Sequence, residues 1–243
     1  TSSKLTITKA TDAEAGQYTC IVGMESLSIT CNPAEAQVVA KPAVTLDPVP
    51  SAIVSGSFSW QPAASNSPTS FAISGLPSGL TYNKTTGLIS GIPNVSGTFN
   101  VKVTARNAAG NSSTQPFTLT IAALPDNALG TFGGYLERSA TLNASMGGTI
   151  TAAVAKTGSF SGRMKLGATT YSYRGRLVSP LSGNPTAVVT ILRRGLSTLT
   201  LHLTFDVTSN TLTGTVGADA TTAAINAARN TWNARLNPAA QYA

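Results

Sequence analysis

The sequence predicts an all-β chain of tandem modules, a central β-sandwich followed by an antiparallel up-and-down meander or partial barrel. Three observations predict it. Apolar residues recur with a period of two over stretches such as Phe99 to Ala105 and Phe117 to Ile121, the spacing of half-buried strands rather than of helices. Only 10% of the residues are charged, so the Glu- and Lys-rich surfaces that helices carry are missing, while Thr, Ser, Val, Ala and Gly abound. The 22 glycines and 13 prolines break the chain into short segments joined by turns. In 243 residues such segments fit two or three small modules better than one large core.

The first module is expected over residues 1–42. Leu5-Thr-Ile7 alternates as a strand, and Asp12-Ala-Glu14-Ala-Gly16-Gln-Tyr18-Thr-Cys20 turns and enters a second one. A Tyr two residues before a Cys at such a corner resembles the tyrosine corner and F strand of an immunoglobulin domain. The resemblance implies that the Tyr18 hydroxyl bonds back to the backbone and that Cys20 faces a core. It also implies that 1–42 is the C-terminal part of such a domain, whose earlier strands would precede Thr1. Cys31 is the other cysteine. A bridge across the hairpin and two separate thiols both remain open, because sequence spacing does not bring Cα atoms within the ~4.4–6.8 Å a disulfide needs. Two cysteines without a CxxC pair and one histidine exclude a four-ligand metal cluster. Pro42, Pro48 and Pro50 predict a stiff linker over Pro42 to Pro50.

The second module is expected over 43–123. Phe99, Val101, Val103 and Ala105 point to one face and Asn100, Lys102, Thr104 and Arg106 to the other. Phe117, Leu119 and Ile121 repeat the alternation after a turn at Asn107 to Gly110, which predicts adjacent antiparallel strands. Gly87 and Gly91 supply backbone freedom at turns or bulges, and Pro77 and Pro93 take places where no central ladder donor is needed. The run Gly75-Leu-Pro-Ser-Gly79-Leu80, then Thr86-Gly87-Leu-Ile-Ser-Gly91-Ile-Pro93, then Gly97-Thr-Phe99-Asn-Val101-Lys-Val103-Thr-Ala105-Arg-Asn107-Ala-Ala-Gly110 closely resembles the putative-Ig family, whose pattern is GLPxGL, TGxIxGxP and GxYxVxVxAxNxxG. That resemblance covers residues 43–122. It implies a cadherin-like sandwich of the kind found in tandem in large bacterial surface proteins.

The third module is expected over 124–243, with strands at Thr149 to Ala155, Ser159 to Leu166, Thr169 to Val178, Thr186 to Arg193, Ser197 to Val207 and Thr211 to Val216. A two-residue Gly167-Ala168 turn sets Met164 opposite Tyr171 and Gly162 opposite Tyr173 on the apolar face, leaving Arg163, Lys165, Arg174 and Arg176 on the other. Consecutive hairpins predict a meander curling towards a barrel. Asp219 to Asn233 reads as either helix or strand, with strand favoured by its neighbours. The chain is expected to end without closing the barrel. The train Phe132-Gly-Gly-Tyr135, Thr157 to Gly162, Tyr171 to Gly175 and Leu201 to Asp206 resembles an uncharacterised β-rich domain that accompanies putative-Ig modules.

The net charge of +7 is unevenly placed. Residues 124–243 hold ten basic residues against four acidic ones, a net of +6, and the first 123 carry the remaining +1. The face of Arg163, Lys165, Arg174 and Arg176 is the candidate site for an anionic ligand, such as an acidic polysaccharide, lipopolysaccharide or wall polymer; a solubilising solvent face is the alternative. Nucleic acid fits less well, because the strip has no interleaved exposed aromatics. Cadherin-type calcium sites need clustered oxygen ligands, and the junctions offer Asp47 and then Asp126-Asn127, so no metal or other cofactor is expected.

Catalytic chemistry is not expected either. His202 and Asp206 share a strand face, but four residues at ~3.3 Å each separate them by roughly 13 Å, too far to bond. Asp206, Glu137, Asp126 and Asp219 make no acid-rich loop for glycoside hydrolysis, and charge balancing of nearby arginines is their expected role. No phosphate-binding loop occurs. Sequons stand at Asn83, Asn94, Asn111 and Asn143. No stretch approaches the ~20 apolar residues of a membrane span, and Thr1 is not followed by a signal peptide; a leader or anchor is expected to lie outside this segment. The resemblances imply a non-catalytic structural or adhesive array of a secreted or cell-surface bacterial protein, with polysaccharide or other surface proteins as partners. An anionic-glycan binding module, or an accessory segment of an enzyme whose catalytic domain lies elsewhere, are the alternatives.

Overall fold

The computed structural model describes residues 11–24 and 27–231. Leu5 to Ile7, expected as a strand, and the end of the Asp219 to Asn233 segment lie outside them. A 3-10 turn at Asp12–Glu14 leads into β1 (Gly16–Tyr18) and β2 (Ile21–Met24), which fold back on β3 (Leu27–Thr30) and β4 (Ala34–Ala36). β1 pairs with β4 and β2 with β3, both antiparallel. The Tyr18 hydroxyl donates to the Glu14 carbonyl at 2.6 Å, four residues back, and so ties the corner. Cys20 does not face a core: it and Cys31 are both exposed free thiols, because among the described residues no second sheet packs on this hairpin. The ladder places the two opposite each other, with the Cys31 N–H donating to the Cys20 carbonyl at 2.8 Å.

The segment expected as a linker is instead part of the sandwich. Pro42 is buried, β5 (Val44–Thr45) pairs with β8 (Ala63–Ala64), and Asn66 and Asn107 donate their side-chain amides to the Lys41 and Ala40 carbonyls, each at 2.7 Å. Prolines on this segment are tolerated because a two-residue edge strand needs few ladder donors. Between them come β6 (Ala52–Ile53) and β7 (Phe58–Trp60), then β9 (Ser70–Ser74), β10 (Leu80–Tyr82), β11 (Ile89–Gly91), β12 (Gly97–Asn107), β13 (Gly110–Asn111) and β14 (Gln115–Ala122). One sheet has the order β10-β11-β7; in the other β12 lies between β14 and β9, with β6 beside β14. Val101, Val103, Ala105, Leu119 and Ile121 are buried on the inner face of the second sheet, opposite Phe58, Trp60, Leu80 and Ile89. Phe99 pairs with Leu119 and Val101 with Phe117, and the Trp60 and Phe117 rings lie 4.9 Å apart. Gly87 and Gly91 take φ of 75° and 139°.

A 3-10 turn at Asp126–Ala128 leads to eight long strands: β15 (Gly130–Leu136), β16 (Gly148–Val154), β17 (Ser159–Leu166), β18 (Thr169–Arg176), β19 (Thr186–Arg193), β20 (Leu196–Asp206), β21 (Thr211–Ala218) and β22 (Thr221–Arg229). A short α1 (Ala140–Asn143), capped by the Ser139 hydroxyl, lies between β15 and β16. The expected register holds: Met164 pairs with Tyr171 and Gly162 with Tyr173. Asp219 to Asn233 contains a turn and the strand β22, and β22 pairs with β15 as well as β21. The sheet therefore curls round on itself into a nearly closed barrel, in line with the expected meander curling towards a partial barrel, and the gap left is between β18 and β19, bridged at one end by Val178 and Thr186. β22 prefers strand to helix because its alternate residues Ala223, Ile225 and Ala227 enter the interior; tertiary burial overrides the alanine propensity.

The barrel is filled. Phe205 lies 5.2 Å from Phe132 and 6.0 Å from Phe160, and Phe160 6.3 Å from Tyr173, with Leu199, Leu201, Leu203, Leu212 and Met164 packed around them. Outward positions are mostly Thr, Ser, Arg and Lys, with Val188 and Leu192 exposed among them on β19. Because Phe205 is fully buried and touches two other rings, Phe205→Ala should cost about 3–5 kcal/mol, while Leu192→Ala, at 84% exposure, should leave stability within about 0.5 kcal/mol. Urea denaturation of the two variants checks both.

Candidate ligand-binding face

The outward side chains of β15 to β18 form rows across the sheet. One row runs Thr131, Ala153, Ser161, Arg174; the next Gly133, Thr151, Arg163, Ser172; the third Tyr135, Thr149, Lys165, Thr170. Small side chains fill most positions, so the cations stand up as walls. Arg163 and Arg174 sit on neighbouring strands one row apart and flank a groove of about 610 Å³. A second hollow, of about 470 Å³, shares Ala153, Ser161 and Arg174 and extends the groove towards Gly175.

The groove floor depends on Gly162. Any Cβ there would collide with the Tyr173 ring and the Thr151 carbonyl, and its absence lets the Tyr173 ring cross the strand so that its hydroxyl donates to that carbonyl at 2.7 Å. Burial pushes the Tyr173 phenol far above its ordinary range, so it serves as a neutral structural donor. The expected cation face separates into two parts. The side chains of Arg163, Lys165 and Arg174 make no hydrogen bond or ion pair with the described residues. Arg176 is spent on structure: its guanidinium donates to the Pro93 carbonyl at 3.4 Å and to the Thr157 carbonyl at 3.2 Å. Pro93, expected where no central ladder donor is needed, thus also accepts a contact from the barrel.

The sequence reading missed Tyr135, which is 59% exposed on the same outward face; the motif Phe132-Gly-Gly-Tyr135 had not been read as a strand, so its outward position was invisible. It also missed a hollow of about 370 Å³ at the end of the barrel near α1, where Arg193, Asp219 and Tyr171 converge.

Asp206, expected to balance nearby arginines, instead closes a turn. The Asp206 carboxylate accepts N–H bonds from Thr208 at 2.8 Å and Ser209 at 3.1 Å, closing the β20–β21 turn, and these bonds hold its pKa below the ordinary carboxylate value of 3.8. His202 is exposed between Val188 and Thr215. The Asn127 amide donates to the Val207 carbonyl at 2.8 Å, and among the described residues no three of His, Cys, Asp and Glu gather in a possible metal site. Asn143 of the last sequon is buried and fully bonded, donating to the Glu137 carbonyl and accepting from the Ser139 N–H. Among the described residues no helix is long and apolar enough to cross a membrane.

With this geometry in view, comparison with known proteins decides one part of the chain. Residues 33–122 match the family described as Putative Ig domain. This Ig-domain match begins ten residues before the expected start of the sandwich, in agreement with the docking of Ala40 and Lys41. A crystal structure of a putative alpha-galactosidase/melibiase from Bacteroides fragilis NCTC 9343 is 29% identical over 35% of this chain, with a TM-score of 0.32. The matched part spans 18% of that chain, well under two thirds of its length. No curated protein matches the chain.

Because the folded pKa of Asp206 lies below its unfolded value, its contribution to stability is complete above that unfolded value and is lost as pH falls through the folded one. Asp206→Asn, which keeps the accepting oxygen and removes the charge, should flatten the acid limb of the stability profile. Denaturation midpoints taken at descending pH read this directly.

Proposed function

We propose that this chain is a non-catalytic structural or adhesive segment of a large secreted or cell-surface bacterial protein, in which the Ig-like sandwich and the barrel form one stiff unit. The observation that carries the reading is their junction. Ser55, in the left-handed region at φ 63°, is 1% exposed. Its carbonyl accepts from the Ser179 N–H at 3.1 Å, and its hydroxyl donates to the Thr157 carbonyl at 3.4 Å. Gly158, at φ 78°, lies so close beneath Ser55 that a Cβ would overlap its hydroxyl. Val54 and Leu124 are buried between them, and one continuous apolar core joins both bodies. Domains within a chain move relative to one another unless such a contact is large and apolar. A stiff unit can hold a distant binding or catalytic part at fixed reach, which suits projection from a surface. The family match of residues 33–122 supports the same reading.

Calorimetry should show the sandwich and barrel melting in one transition, with Gly158→Val splitting it into two and widening the small-angle scattering profile. Two independent transitions in the unaltered chain would sink the stiff-unit reading. Turnover of a polysaccharide or peptide by this chain, abolished by a substitution that leaves folding intact, would overturn its non-catalytic part.

A further inference from the structure

We infer that the groove between Arg163 and Arg174 binds an acidic polysaccharide, its carboxylates held by the two guanidinium groups and one of its sugar rings resting on Tyr135. This rests on the surface-segment reading above and adds a ligand class and a site to it. Three features point to that chemistry. Arginine side chains with no partner among the described residues face a groove of about 610 Å³, and guanidinium groups bind carboxylates in paired, planar contacts. The positions beside them hold Ser161 and Ser172, with Thr131 at the far side of the groove and Ala and Gly on its floor; this offers hydroxyls to sugar hydroxyls and lets a pyranose approach the backbone. Tyr135 lies on the same outward face, one strand beyond Thr149 and one row from Gly133 and Thr151, and its exposed ring gives the flat apolar platform that the C–H face of a sugar needs. Strand spacing of ~4.8 Å places it roughly 10 Å across the sheet from β17, so a polymer of two or three sugars spans from ring to cations. The groove also continues past Arg174 into the second hollow, as an extended polymer rather than a single ion requires.

Lys165 stands one row from Arg163, in the row of Tyr135, and adds a third cation on the same face. Arg176 is bonded to Pro93 and Thr157, and Lys102 lies on the sandwich.

The test is titration calorimetry of the whole chain with oligogalacturonate, its carboxyl-reduced neutral counterpart, inorganic phosphate and oligothymidylate. Oligogalacturonate should bind and the neutral counterpart should not. Affinity should fall at least tenfold in Arg163→Ser/Arg174→Ser, and several-fold in Tyr135→Ala and on raising salt. Lys102→Ser should change nothing. Should the double variant lose its native melting temperature, Arg174→Ser alone with the salt series gives the same reading. Equal binding of the neutral oligomer, indifference to the arginine changes, phosphate binding as tightly as the oligomer, or tighter binding of oligothymidylate through the same residues would each overturn the inference. None of these outcomes bears on whether the junction melts as one unit, so the two readings fail separately.

Discussion

A sheet with apolar side chains on one face only must remove that face from water, at about 25 cal/mol for each Å² buried. It can do so by packing on a second sheet or by curling on itself. This chain does both in succession. Between Val44 and Ala122 two sheets bury Trp60, Ile89, Val101 and Leu119 against each other; from Gly130 onward eight strands wrap around Phe132, Phe160 and Phe205. The hairpin of β1 to β4 does neither within the described residues, and Ile21 and Ile29 remain more than 60% exposed there. Every other feature, including the outward rows of small and basic side chains, follows from which face was buried.

The same burial explains why the sandwich and barrel are held rather than strung together. The short passage from β14 to β15 carries Leu124, which is 3% exposed, and Ser55 reaches across to Ser179 and Thr157 with hydrogen bonds that would be lost to water if the bodies swung apart. Buried polar groups of this kind are costly unless paired, so the bonds fix the relative orientation that apolar packing alone would leave loose. Arg176 adds a contact from the barrel to Pro93. A residue grouped with its neighbours as a surface cation is thereby drawn into architecture, and the cations of that face left without a partner among the described residues are Arg163, Arg174 and the nearby Lys165.

Much of this was legible in advance where the signal was periodic. The alternation from Phe99 to Ala105 and from Phe117 to Ile121 placed both inner-face strands, and the Gly167-Ala168 turn set the register that puts Gly162 beside Tyr173. Where the signal was compositional it misled. Prolines over Pro42 to Pro50 read as a linker because proline punctuates linkers and edge strands alike, and the alanines of β22 left helix and strand open because alanine packs in either.

The sequence by itself determined the all-β class and the face on which the arginines of β17 and β18 stand, both local properties with a two-residue period, and the Ig-like pattern of the middle segment, which its spaced glycines and prolines carry. Only the tertiary structure decided that β22 would return to β15, that Tyr135 would share a surface with Arg163, and that Arg176 would be taken by Pro93 and Thr157. Each of these joins residues separated by at least 19 positions, and such contacts are set by how a curled sheet closes and by which neighbour it closes against, neither of which any single stretch of sequence specifies.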